Sequence, residues 1–385
     1  MKRTHTLGFD AKYANAQIDD MGSYGRFIVR AVATAYPENA YLRLYTPTQI
    51  PNSEYEALTE LPNVESMEPD GSLWRRLSTL WRMWRVTKDA QHGDVELFHG
   101  LANSLPYGLA RKNIRSVVSV HDLQFIRDPK QFNILERIIR YFEVHSACVR
   151  ADRIIAASEA TKRDIHRLLG INPEKVDVVY QGCNPIFSTP VSQADIESVK
   201  EKYELPEHYI LNVGDIEERK NIGLILDAMA ELPEDVELVI IGNHTRYSKR
   251  IKRRIKSLGL EQRVHIRNIP LSERPAAYKG ADIFIYPSRF EGFALEILEA
   301  ITVGVPVIAT RGSSHEEAGG VKSIYVSPRD CGELAEAIEL LRSNPAKCEE
   351  MIAAGKNHTR LFRSEVAAYG IMKCYERIGV ELGEL

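Results

Sequence analysis

Short apolar runs, each closed by glycine, proline or charge, alternate along this chain with stretches whose apolar positions recur at helical spacing. In the first half, residues 4–9, 41–45, 95–99, 116–121, 153–157 and 176–180 read as strands. Their apolar character is continuous rather than alternating, as in strands covered on both faces of a parallel sheet. Helical spacing fills 24–35, 73–87, 131–150 and 159–169. Around 184–206 the pattern lapses into proline, serine, threonine and charge, the composition of a linker. Strands resume at 209–213, 236–241, 264–269, 283–287, 305–310 and 323–326, with helices between, and 366–378 is a final amphipathic helix. Strand and helix in strict alternation predict an α/β fold, a doubly wound parallel sheet formed twice. The expected domains are 1–188, 189–365, and a C-terminal helix, 366–385, packing back on the first.

Two strand-to-helix junctions in the second half carry chemistry. After the strand at 283–287, Gly292 turns the chain into a helix, with Glu291 before the turn and Glu299 eight residues on. The helix rise puts the second carboxylate roughly 10 to 12 Å beyond the first. The first amides of such a helix have no partner within it, so a phosphate can sit there between the two acids. At the other junction the strand at 209–213 runs through Gly214 to Arg219 and Lys220, at the start of an amphipathic helix. Open α/β sheets bind ligands beyond such carboxyl ends, and Arg and Lys there suit a diphosphate. An elongated ligand with phosphate in its middle and hydroxyls at both ends fits the whole set, and a nucleotide sugar has that shape.

Length, composition and charge narrow the reading. A chain of 385 residues is long for one core, and 44% hydrophobic with 27% charged residues is ordinary for a globular protein. A net charge of −3 leaves no nucleic-acid footprint. The five cysteines include no CxxC pair, so neither zinc nor a disulfide framework is expected. The start, Met1-Lys2-Arg3, is basic without a following apolar run, and no stretch reaches the length of a membrane span, so a cytoplasmic location is expected.

Two basic segments complicate that picture. Residues 72–88 hold all three tryptophans, Trp74, Trp81 and Trp84, among five basic residues, the make-up of a helix lying in an anionic membrane interface. The alternative is a domain helix with buried tryptophans and snorkelling arginines. Residues 246–256 keep Tyr247, Ile251 and Ile255 at helical spacing and read as a packed helix with a solvated basic face.

Taken in order, Gly22-Ser23-Tyr24-Gly25-Arg26, Val120-His121-Asp122-Leu123, Val179-Tyr180-Gln181-Gly182-Cys183-Asn184, Gly214 with Arg219-Lys220-Asn221, and Glu291 to Glu299 resemble glycosyltransferase family 4, of the two-Rossmann-domain GT-B fold. The resemblance covers nearly the whole chain. It implies transfer of a hexose from a nucleotide diphosphate sugar, UDP- or GDP-linked, with retention of anomeric configuration. The acceptor it implies is a glycan or lipid-linked sugar, bound by the first domain across a cleft, in polysaccharide biosynthesis. It also implies that no metal or other cofactor is bound, and the sequence has no D-x-D pair to hold one.

By the same resemblance His121, Glu291, Arg219 and Lys220 are the catalytic candidates. Gly22, Gly25, Gly214, Ile269, Gly292, Phe293, Ala294, Leu295 and Glu299 join Arg219, Lys220 and Glu291 in donor binding, Glu299 on the ribose. Many relatives carry arginine where this chain has Asp215, so the phosphate grip leans on Arg219 and Lys220. A rival enzyme is another GT-B sugar-nucleotide chemistry, such as an epimerase. A rival of a different class is an inactive nucleotide-sugar-binding scaffold. Neither half has a GxGxxG after its first strand, which argues against a dehydrogenase.

Overall fold

Every strand pairing in the structure, a computed structural model that describes residues 4–15, 20–48 and 50–383, is parallel. The strands form two sheets, each in its own compact unit. One unit comprises the described residues of Met1–Gly182 and Phe362–Leu385; the other is Cys183–Leu361. The basic start at Met1, Lys2 and Arg3 lies outside the described residues.

The first sheet contains β1 (His5–Asp10), β2 (Ala40–Tyr45), β3 (Val64–Met67), β4 (Leu97–Gly100), β5 (Arg115–Val120), β6 (Arg153–Ala156) and β7 (Val176–Val178), in the order β3-β2-β1-β4-β5-β6-β7. Leu7 pairs with Leu42 on one side and Leu97 on the other, and all three are fully buried. The helix Asp20–Ala35 lays Ile28 and Val32 on this core, and the C-terminal helix Ser364–Glu376 adds Ala368, Ile371 and Tyr375. Gly22 and Gly25 therefore sit inside the first turns of a helix rather than ahead of it. A Cβ on Gly25 would lie 3.1 Å from that of Ala14, so a glycine there lets the helix close on the turn after β1.

The second sheet contains β8 (Ile210–Val213), β9 (Leu238–Ile241), β10 (Val264–Arg267), β11 (Ile283–Tyr286), β12 (Val307–Thr310) and β13 (Ile324–Val326), in the order β10-β9-β8-β11-β12-β13. Ile222, Ile225 and Met229 of the helix Ile222–Glu231 pack on Leu238, Ile240, Ile285 and Ile308 of the sheet. The basic stretch is the helix Ser248–Ser257, with Ile251 and Ile255 buried and its bases outward.

Several elements differ from the sequence reading, among them a helix at Ser53–Thr59 that it lacked. The linker holds a helix, Gln193–Tyr203, closed at its start by reciprocal bonds between Ser192 and Asp195. β3 is a half-buried strand at the sheet edge, too polar to announce itself. The helix expected at 73–87 is broken: Ser72–Arg76 and Ser78–Leu80 are separated at Leu77, and Trp81–Arg85 is a π turn leading into Val86–His92.

That break separates the tryptophans. Trp81 is buried with its indole N–H donating to Asp89 at 2.7 Å, so it cannot touch a membrane. Trp74 is half-buried, and Trp84 stands out on the surface. Arg82 is also internal, bonded to Asp10 and Ser104 at 2.7 Å each. No helix of the described residues is long and apolar enough to cross a membrane.

Candidate functional site

In the second sheet the strand order departs in opposite directions from the neighbours β8 and β11, which opens a crevice at their carboxyl ends. Both candidate junctions leave from there. Gly214 follows β8 at φ +137°, and a Cβ on it would come within 3.2 Å of the Lys220 side chain folded over it. Gly242, after β9, approaches the Gly214 carbonyl so closely that a Cβ would overlap it. These two glycines let the turn 214–220 fold back tightly over the sheet end.

The turn delivers both cations to the residues after β11. Lys220 is buried, and its ammonium donates to Tyr286 Oη at 2.5 Å and Glu296 at 2.7 Å, with Glu291 at 3.0 Å. Arg219 donates to Glu217 at 2.9 Å and to Glu291 at 2.5 Å. Glu291 also accepts from Tyr286 at 2.9 Å and Ser288 at 2.8 Å. Tyr286 has one proton for two carboxylates, since Glu296 lies 2.8 Å from the same hydroxyl.

Burial alone would raise the Glu291 pKa, but Lys220, Arg219 and the hydrogen bonds outweigh it and hold the carboxyl at about 2. Burial would likewise discharge Arg219 and Lys220, and the facing carboxylates instead raise both above their ordinary values. Arg219, Lys220 and Glu291 are thus charged and paired with one another before any ligand arrives.

The backbone of Glu291 is held as firmly as its side chain. Ser313 Oγ accepts from the Glu291 N–H at 2.9 Å and donates to its carbonyl at 2.7 Å, and Ser314 reaches the same carbonyl at 3.2 Å. Ser313 does this at φ +144°, a conformation that favours glycine. His315 follows, with one ring nitrogen 2.8 Å from the Thr310 carbonyl and its ring edge-on to Tyr286 at 5.6 Å.

The helix after the turn is Leu295–Val303, with no side chain capping its first turn at Ala294. Gly292 and Ala294 are buried, while Phe293 and Leu295 are partly accessible. Glu299 stands one turn into this helix and accepts from Tyr278 Oη at 2.8 Å, a different set of partners from those of Glu291. Two acidic environments flank one helix start, as the spacing implies. Asp215 turns aside, accepting from the Asn243 backbone and side chain at 3.2 and 2.9 Å. Ile269 is fully buried, and its carbonyl accepts from Arg274 at 3.1 Å.

In the first unit His121 directly follows β5. Its Nε2 donates to the Leu101 carbonyl at 2.8 Å, and its ring stands edge-on to Tyr24 at 4.4 Å. Tyr24 lies between Gly22 and Gly25 and joins a buried chain: Tyr24 to Ser119, Ser119 to His99, and His99 to Tyr375, each link 2.8 Å. Burial pushes the His99 pKa down to about 3, so this ring is neutral and relays no charge.

Sequence reasoning missed Tyr286, Glu296, Ser313 and this chain under His121. Glu296 sits within the segment already singled out, but Tyr286 reads as one more apolar strand residue and Ser313 lies 22 positions beyond the glutamate it binds.

Two family sequence models match the chain, "Glycosyltransferase Family 4" over residues 29–186 and "Glycosyl transferases group 1" over residues 194–358. The O-antigen chain mannosyltransferase B of Escherichia coli is 28% identical over 242 residues, 61% of this chain and 62% of that protein. The match thus spans less than two thirds of that relative. The O-antigen chain mannosyltransferase RfbU of Salmonella typhimurium is 24% identical over 294 residues, 75% of this chain and 77% of that one. Among solved structures, Anabaena HepE in complex with UDP and glucose aligns with a TM-score of 0.73 at 22% identity, over 97% of this chain and 100% of that one. At that identity the likeness speaks for the fold, which is GT-B. With the two matches together taking in most of the sequence, the chain belongs to glycosyltransferase family 4.

Proposed function

We propose that the protein transfers a hexose from a UDP- or GDP-sugar to a glycan or lipid-linked acceptor in polysaccharide biosynthesis, retaining the anomeric configuration and using no metal. The observation that carries this reading is the ion-paired group of Arg219, Lys220, Glu291 and Glu296 at the β8/β11 crevice, beside a helix start that no side chain caps. The mannosyltransferase relatives favour mannose as the hexose.

The leaving group of such a reaction is a nucleoside diphosphate, and the barrier falls most where its growing charge is met. Arg219, the more accessible cation, takes the diphosphate in exchange for Glu217 and Glu291. Lys220 stays beneath, keeping Glu291 ionised. The amides of Gly292 to Leu295 meet the phosphate and sugar, and Glu291, released from Arg219, turns its carboxylate to the sugar hydroxyls. Glu299 takes the ribose, and Gly214 lets the phosphate approach the backbone. From the first unit we assign His121 to the sugar and the attacking acceptor, with Gly22 and Gly25 admitting the acceptor or phosphate to the helix start.

Nucleotide release and sugar transfer from UDP- and GDP-linked hexoses test the reading. Binding of the nucleoside diphosphate should survive EDTA and weaken at least tenfold in Arg219→Ala, one charge-assisted contact being worth about 1.5 to 3 kcal/mol. Glu291→Ala and His121→Ala should lose turnover by orders of magnitude while circular dichroism at the assay temperature shows both folded. Near-normal turnover in both variants would show that the site is elsewhere.

A further inference from the structure

Ten of the seventeen large hydrophobic side chains exposed among the described residues lie on two segments of the first unit. Along the broken helical segment after Gly71, Leu73, Leu77, Leu80 and Trp84 all face solvent while Trp81 and Val86 face the core. On the helix Ile134–Arg150, Leu135, Ile138, Ile139 and Phe142 form an outward stripe, with Val144, Ala147 and Cys148 turned inward. Exposures of 61% for Trp84 and 65% for Phe142 are far beyond what core-forming aromatics show.

The two segments adjoin. Trp84 stacks on Tyr107 at 4.5 Å, and Arg150 from the second helix lies 4.1 Å over the same ring while its guanidinium holds the Leu105 and Pro106 carbonyls at 2.7 and 2.6 Å. Arg82 reaches Glu143 at 3.6 Å. An apolar surface of this extent on one side of a unit marks a contact surface rather than scattered exposure.

Charge selects the partner. Residues 72–88 contain no acid, and Arg75, Arg76 and Lys88 are exposed with no ion pair among the described residues. A second copy that seated this segment on its own counterpart would set bases against bases. An anionic surface neutralises them instead. We propose that this face docks on an anionic lipid bilayer, its leucines, isoleucines, Phe142 and Trp84 entering at headgroup depth while Arg75, Arg76 and Lys88 meet lipid phosphates. The two helical segments lie in the plane of the surface and do not cross it. The corrected set keeps Trp84 and excludes Trp81.

Sedimentation of the full chain with phosphatidylcholine vesicles, with and without phosphatidylglycerol, tests this independently of any sugar transfer. The chain should bind the mixed vesicles, bind neutral ones far less, and be released by salt. Arg75→Gln, Arg76→Gln and Lys88→Gln together should lower the partition coefficient on the order of a hundredfold. Ile138→Asp with Phe142→Asp should also abolish binding, and both variants should keep the parent melting temperature because every changed side chain is exposed. Binding indifferent to the anionic lipid and to salt would overturn the proposal. So would a stable dimer in solution that Ile138→Asp with Phe142→Asp splits.

Discussion

Ser313 shows how much the site asks of single residues. Its hydroxyl closes both backbone polar groups of Glu291, and it does so in a conformation costing roughly 1 to 3 kcal/mol for a residue with a Cβ. Ser313→Ala keeps the strain and loses both bonds, so it should lower stability by about 1 to 3 kcal/mol. Ser313→Gly loses the same bonds but relieves the strain, and should melt measurably above the alanine variant. Both leave the Glu291 backbone held by Ser314 alone, so kcat should fall by a similar factor in each. Equal melting of the two variants would mean that Ser313 carries no strain, and an undiminished kcat would mean that the clamp does not matter to turnover. Glu291 itself makes a pH prediction. Its folded pKa of about 2 is below the unfolded value of about 4.3. The stabilisation it gives is therefore complete above about pH 4.3 and is lost as pH falls from there toward 2. Glu291→Gln should flatten that part of the acid melting curve, and an unchanged curve would show that its ion pairs add nothing.

At the scale of elements, the turn 214–220 is where local sequence and ligand chemistry meet. Glu217 on this turn is paired with the Arg219 guanidinium that we propose the diphosphate occupies. Glu217→Gln should therefore tighten nucleoside diphosphate binding by up to about fivefold, the worth of one partly exposed ion pair, in a titration calorimetry comparison with the parent. Weaker binding would mean that Glu217 positions Arg219 rather than competes for it. This turn was legible in the sequence because a buried strand, a glycine and a basic pair stand in uninterrupted order. The parallel sheets were legible for the same reason, since strands covered on both faces write themselves as apolar runs. β3 was not, being an edge strand with the sequence Val-Glu-Ser-Met and only its first residue fully buried. The helix Gln193–Tyr203 was hidden by its composition: it buries little beyond Val199, and its clearest signal was the serine and aspartate three residues apart at its start. The tryptophan segment left two readings open, an interfacial helix and a packed one, and the structure divides it between them, with Trp81 buried and Trp84 exposed. Pairings such as Ser313 with Glu291 depend on which loops meet above a sheet, and no periodicity encodes that.

Each unit of the molecule closes its own core, and the chain reaches the first core twice. Residues from 362 onward return to it: Ala368, Ile371 and Tyr375 are fully buried against the helix Asp20–Ala35, and Tyr36 Oη reaches Met372 Sδ at 3.2 Å. Tyr375 further supports His99, and through Ser119 the Tyr24 ring on which His121 leans. The last helix thus shapes the surroundings of His121, more than two hundred residues upstream, while the groups proposed for the nucleotide all belong to the other unit. Two cores of this kind predict a thermal unfolding profile with separable contributions. A nucleoside diphosphate at a hundred times its Kd should raise the second unit's contribution by about 2.7 kcal/mol. Ile371→Ala should leave that contribution in place and weaken the first by roughly 2 to 5 kcal/mol, the usual loss for an aliphatic side chain with no exposed surface. Calorimetry of the two proteins, each with and without nucleotide, separates the effects. If the ligand and the substitution move one and the same transition, the units unfold together, and the C-terminal helix serves the nucleotide site as much as it serves His121.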